Sequence, residues 1–174
     1  LGQKLLKGEF VKRDKKAGLG WIEMAAEQGY PRAEEMLGNI FLSESGADRN
    51  PSKGVEWLQK AADLSDTAAL NDLGYAYETG KGVPMNELKS LELYRKSAVA
   101  GDAYAQSYIG RAYEAGRGMD RDPHEAILWF KLAAAQGDTY SIGRLRALDS
   151  TWAPSPGALP APGLEAATAG RPAD

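Results

Sequence analysis

Large apolar residues in this chain stand at helical spacing from glycines. Leu5, Phe41, Tyr77 and Tyr113 each follow a glycine (Gly2, Gly38, Gly74 and Gly110) by three positions, which sets a large side chain beside a glycine on one helix face. The arrangement is periodic. The stretch "LGYAYETGKGV" from Leu73 returns after an offset of 36 as "IGRAYEAGRGM" from Ile109, and precedes itself as "LGNIFLSESGA" from Leu37 and "LGQKLLKGEFV" from Leu1. A period in this range is the signature of stacked repeats, each too small to bury its apolar face without its neighbours.

Each column of the repeat has a physical task. Glycine inside a helix costs roughly 1 kcal/mol relative to alanine, so the recurring glycine predicts close approach of a second helix, as do the small Ala33, Ala69, Ala105 and Ser141 one turn earlier. These residues define helix A. Gly80 with Gly82, and Gly116 with Gly118, then end it and turn the chain. Two turns are expected to be less regular, because Glu44 precedes Gly46 and Phe10 follows Gly8 where other repeats have a second glycine.

Asp14, Asn50, Asn86 and Asp122 form the next column, side chains that accept hydrogen bonds from the free amides opening a helix, with Pro51 and Pro123 directly after. Helix B starts there. It carries Trp21, Trp57, Leu93 and Trp129, then Ile22, Leu58, Tyr94 and Phe130, then Ala25–Ala26, Ala61–Ala62, Ser97–Ala98 and Ala133–Ala134. Large residues facing small ones predict interdigitation, and burying one such aromatic contributes roughly 2 to 3 kcal/mol. Gly29, Gly101 and Gly137 close helix B, with Ser65 in the same column.

The fold expected is all-α: a right-handed α-solenoid of antiparallel helix pairs with a 36-residue repeat. About four repeats and a C-terminal capping helix occupy residues 1–149, and an Ala/Pro/Gly-rich disordered tail occupies 150–174. Capping is read from Asp138, Tyr140, Ser141 and Leu145, which restart the phrase before Arg146 takes the glycine column. Trp152 either docks on that helix or stands exposed at the tail junction. The chain opens inside the phrase, so its first repeat is read as truncated, and Leu1, Leu5 and Leu6 form an apolar edge that predicts self-association.

Charge and composition narrow the chemistry. A hydrophobic share of 43% and a charged share of 26% are those of an ordinary globular domain, and no stretch approaches a membrane span. The net charge of -3 gives no footprint for nucleic acid; the short basic run Lys12, Arg13, Lys15 and Lys16 is broken by Asp14 and reads as a solvated loop. With no cysteine, disulfides, thiolate metal sites and cysteine nucleophiles are excluded, and the single His124 leaves little for a histidine metal site or a serine triad. In "GMDRDPHEA", Asp120, Asp122, His124 and Glu125 suggest a calcium loop or a general base, but the remaining calcium ligands are missing. Asp122 fits the capping column, and Glu125 suits the positive helix start. The expectation is therefore no enzyme, no cofactor and no metal.

The unit reads as A-x-x-x-L-G-x-x-Y-x-x-G-x-G-V followed by "WFKLAAAQG" at Trp129 to Gly137, and in this it resembles the Sel-one-like repeat (SLR) family, relatives of the tetratricopeptide repeat, from Leu1 to about Leu148. The resemblance implies a bacterial scaffold or adaptor that binds a protein or peptide, often periplasmic or secreted, with a cytoplasmic location as the alternative. A second reading is a regulatory subunit docking on an envelope or membrane-bound enzyme complex. A third, a hydrolase such as a β-lactam-binding enzyme, comes from cysteine-rich secreted relatives, whose cysteine framework this chain lacks.

In this architecture helix A lines the concave surface, so its polar columns are the expected contacts. One holds Gln3, Asn39, Tyr75 and Arg111; a second Glu35, Asn71 and Ser107; a third Arg32, Tyr104 and Tyr140; a fourth Glu78 and Glu114. Asn, Arg and Tyr offer several donors or a rigid amphipathic ring, able to clamp the backbone or a carboxylate of an extended peptide.

Overall fold

The computed structural model describes residues 1–8, 14–43 and 49–148, and every regular element within them is helical. Along the chain run α1 (Gly2–Lys7), α2 (Lys15–Glu27), α3 (Pro31–Leu42), α4 (Pro51–Asp63), α5 (Thr67–Thr79), α6 (Glu87–Val99), α7 (Ala103–Ala115), α8 (Pro123–Ala135) and α9 (Thr139–Leu148). Odd-numbered helices are the A helices of the repeat and even-numbered ones the B helices, packed in sequential antiparallel pairs. Two units divide the chain, Leu1–Leu93 and Tyr94–Asp174.

The capping column sets where the B helices start. Asp14 accepts from the Ala17 amide at 2.9 Å, Asn50 from Lys53 at 3.2 Å, Asn86 from Lys89 at 3.0 Å, and Asp122 from His124 and Glu125 at 2.9 and 3.1 Å. A second capping column opens the A helices: Asp66, Asp102 and Asp138 accept from Ala69, Ala105 and Ser141 at 2.9, 2.8 and 2.7 Å. Losing one such cap costs about 1 kcal/mol. At the exits of the B helices, Gly29, Gly101 and Gly137 adopt positive φ, and Ser65 holds the same left-handed conformation at φ 63°, strained for a residue with a Cβ.

In the first unit the helix A glycine meets a glycine of helix B. A Cβ on Gly38 of α3 would lie 2.8 Å from Leu58 Cγ and 3.0 Å from the Gly54 carbonyl oxygen, and one on Gly54 of α4 would lie 2.8 Å from the Gly38 oxygen. Backbone therefore touches backbone at this crossing, and Leu58, Leu70, Leu73 and Leu93 fill the space around it. In the second unit Gly110 of α7 receives a ring instead; a Cβ there would stand 2.7 Å from the Phe130 ring. Ala126, Phe130, Ala134 and Leu145 complete that core.

The tryptophan column departs from expectation. Trp129 is 3% exposed and Leu93 is buried, but Trp21 is 48% exposed and Trp57 is half-buried, its ring covered by Lys60 Nζ at 3.8 Å from the centroid. Adjacent helix positions point about 100° apart, so the two columns need not be buried alike. The column buried in every repeat is Ile22, Leu58, Tyr94 and Phe130. The apolar first edge is also smaller than expected. Leu1 is exposed, but Leu5 and Leu6 are half-buried, with Leu6 packed on the cluster of Ile22, Leu37 and Phe41. Phe10, Lys12, Arg13, Glu44, Gly46, Trp152 and the tail lie outside the described residues. Among the described residues no helix is long and apolar enough to cross a membrane.

Candidate functional site

The first unit's helix A face is built around one amide. Asn39 of α3 donates from Nδ2 to Glu35 Oε1, one turn earlier, at 2.7 Å and to Asp72 Oδ2 of α5 at 2.6 Å. Arg32 reaches the other Glu35 oxygen at 3.2 Å. Glu35 is only 7% exposed, and burial raises its pKa above the usual carboxylate value, reinforced by Asp72 and Asp66 and opposed by Arg32 and Asn39. Asp72 is raised for the same first reason, burial, with Asn39 opposing and Asp66 adding to it. The cluster is acidic and internally bonded. Beside it Tyr75 is 50% exposed, with Asn71 and Glu78 half-buried on the same helix.

The second unit's face is built from rings and guanidinium groups. Tyr104 on α7 is 55% exposed and Tyr140 on α9 45%. Tyr104 leans on Tyr94 at 6.0 Å between centroids, while Tyr140 meets the Phe130 ring edge at 6.1 Å and carries the Arg111 guanidinium over its face at 5.1 Å. Between them Ser141 donates its hydroxyl to the buried Ser107 hydroxyl at 3.0 Å. Arg144 clasps Glu114 through Nε, which donates to Oε2 at 3.3 Å, and one terminal nitrogen, Nη2, which donates to Oε1. At the opening of α9, burial works against the Asp138 charge, but hydrogen bonds with Ser141 and Ser107 outweigh it and hold its pKa below the usual value.

The residues expected as contacts therefore separate into two kinds. Arg32, Tyr75, Tyr104, Arg111 and Tyr140 are exposed, and Asn39, Asn71, Glu78 and Glu114 are half-buried. Glu35 and Ser107 are buried and bonded within the fold. A polar residue on an A helix is consumed wherever the next A helix offers it a partner. Asp72 and Arg144, which bond to Asn39 and Glu114, are residues that the repeat columns did not single out. Their signal was a spacing slightly shorter than the period, 33 for Asn39 to Asp72 and 30 for Glu114 to Arg144.

In "GMDRDPHEA" Asp122 caps α8, and Asp120 and His124 are exposed. Among the described residues no group of three or more His, Cys, Asp or Glu side chains is placed to hold a metal ion.

Comparison with known proteins gives one family and a set of solved structures. The family model described as Sel1 repeat matches residues 1–30, 31–66, 67–102 and 103–138; the last three matches begin with α3, α5 and α7. A Sel1 repeat protein from Oxalobacter formigenes is 31% identical with a TM-score of 0.79, over 90% of this chain and 65% of that one. A protective antigen present in uropathogenic Escherichia coli strains, described as displaying an SLR fold, is 26% identical with a TM-score of 0.79, over 84% and 32%. The Helicobacter pylori cysteine rich protein B is 28% identical with a TM-score of 0.60, over 79% and 98%. The chain thus spans less than two thirds of the Oxalobacter and Escherichia proteins. No curated protein matches it.

Proposed function

This chain belongs to the Sel1 repeat family, and on that premise we propose that it is a non-catalytic scaffold that binds a protein or peptide on the surface of its A helices. One observation carries the reading: Tyr75, Tyr104, Tyr140 and Arg111 stand exposed on A helices in both units. Exposed tyrosine and arginine on a rigid helical frame are the side chains that anchor interfaces, because they bury much area at little entropic cost. Arg32, Asn71, Glu78 and Glu114 flank them, and Glu35, Asn39 and Ser107 hold the surface in shape. Residues 1–149 form the binding array in this reading, with the segment from 150 as a tether.

Placement outside the cytoplasm, periplasmic or secreted, is part of the proposal. Its support is the similarity to a protein described as a protective antigen.

Photo-crosslinking residues placed at Tyr75 and Tyr104, with Glu56 on α4 as the helix B control, test the binding surface inside bacterial cells. Discrete adducts from Tyr75 or Tyr104 and none from Glu56 are expected. Adducts from Glu56 alone would move the interface to the B helices.

A further inference from the structure

We propose that the A helices of the second unit select an acidic peptide segment, its carboxylate held by Arg111 and an apolar residue about three positions away lying on Tyr104. The inference rests on the partner-binding reading above and names the chemistry of the partner for this unit.

Four arginines of this unit are already engaged. Arg144 is neutralised by Glu114, Arg117 donates to the Tyr108 hydroxyl at 3.1 Å, Arg95 to the Tyr113 hydroxyl at 2.5 Å, and Arg121 to the Glu114 carbonyl at 3.0 Å. Arg111 is exposed, rests on the Tyr140 face and has no carboxylate partner among the described residues. A guanidinium lying on a ring keeps its N–H edge outward, the geometry that takes a carboxylate bidentately. Its anchor is fixed in turn, because Tyr140 packs on Phe130, which is wholly buried.

The neighbouring acids do not compete for it. Glu114 is engaged by Arg144, and Asp138 is engaged by Ser141 and Ser107. The first unit's face has the opposite balance, with Glu35, Asp66, Asp72 and Glu78 against Arg32, and repels an acidic ligand.

Spacing sets the ligand's length. Tyr104 and Arg111 lie seven residues apart on α7, about 10 Å along a helix, which about three residues of extended chain span. Ser107 between them is buried with its hydroxyl bonded to Ser141, leaving a low floor over which a peptide backbone passes.

Random dodecapeptides displayed on phage and selected on the intact chain are the probe. Enriched sequences are expected to carry Asp or Glu with an apolar residue about three positions away. Their affinity should fall about tenfold or more for Arg111→Gln, and equally when the acid is replaced by its amide, with helicity unchanged. Glu56→Gln on α4, away from the A helices, should leave it intact. Enriched peptides whose affinity is indifferent to Arg111→Gln would overturn the acidic assignment while leaving the binding surface standing. No enrichment on the intact chain would also overturn it, and with no crosslinks from Tyr75 or Tyr104 the binding reading falls too.

Discussion

The two units build the same helix pairs from the same columns, yet their A-helix faces carry opposite chemistry. In the first, an amide at column position 39 bridges two carboxylates of raised pKa, Glu35 and Asp72. In the second, position 111 of that column carries a guanidinium seated on a tyrosine ring, and the column of Asp72 places Arg144 on Glu114. A repeat scaffold therefore keeps its packing columns constant while its surface columns vary freely, and recognition can differ from one pair of repeats to the next.

The largest effect should come from removing the amide. Asn39→Ala leaves Glu35 and Asp72 facing each other without their shared donor, and the loss of about 2 to 3 kcal/mol expected for buried charged acceptors should appear in chemical denaturation of the intact chain. Hydrogen exchange should confine the loosening to α3 and α5. Loss spread equally into α7 and α9 would erase the distinction between the units.

Acid sharpens the same comparison. Glu35 and Asp72 have folded pKa values raised above their unfolded ones, so their contribution is fully present below the ordinary carboxylate range and is lost as pH rises through the raised values. Asp138 is lowered, so its contribution is present above its unfolded value and is lost as pH falls through the lowered one. From neutral toward mildly acidic pH, protection of α3 and α5 against hydrogen exchange, taken relative to the intrinsic rate at each pH, should rise, and the opening of α9 should loosen only at lower pH. Asp72→Asn should flatten the first trend.

Ser65→Gly relieves a left-handed residue that bears a Cβ and should stabilise the first unit by about 1 kcal/mol, read as a rise in the denaturation midpoint. Smaller still is Glu114→Gln. This partly exposed pair contributes no more than about 1 kcal/mol, but its loss releases Arg144 beside Arg111 and should strengthen binding of an acidic peptide several-fold. Weaker binding would show that Glu114 itself contacts the ligand.

The fold was legible because packing repeats with the period: glycine, capping Asp or Asn, and turn glycine each recur at 36 and each do one local job. The site was legible only in part. Equivalent residues share a column, but contacting residues do not. Asn39 bonds Asp72 at a separation of 33, Ser107 meets Ser141 at 34, and Glu114 meets Arg144 at 30. Reading down columns thus found Asn39, Ser107 and Glu114 and passed over two of their partners. It also took polar as exposed for Glu35 and Ser107, where a neighbouring A helix supplies hydrogen bonds that permit burial. Trp21 departed the other way, a large apolar side chain left 48% exposed.

The most direct test is an NMR titration of the intact chain with one enriched acidic dodecapeptide, following backbone amides and arginine side chains. Shifts should centre on Tyr104, Arg111 and Tyr140 and disappear with Arg111→Gln. Shifts centred on Asn39 and Tyr75, or confined to the B helices, would contradict the account.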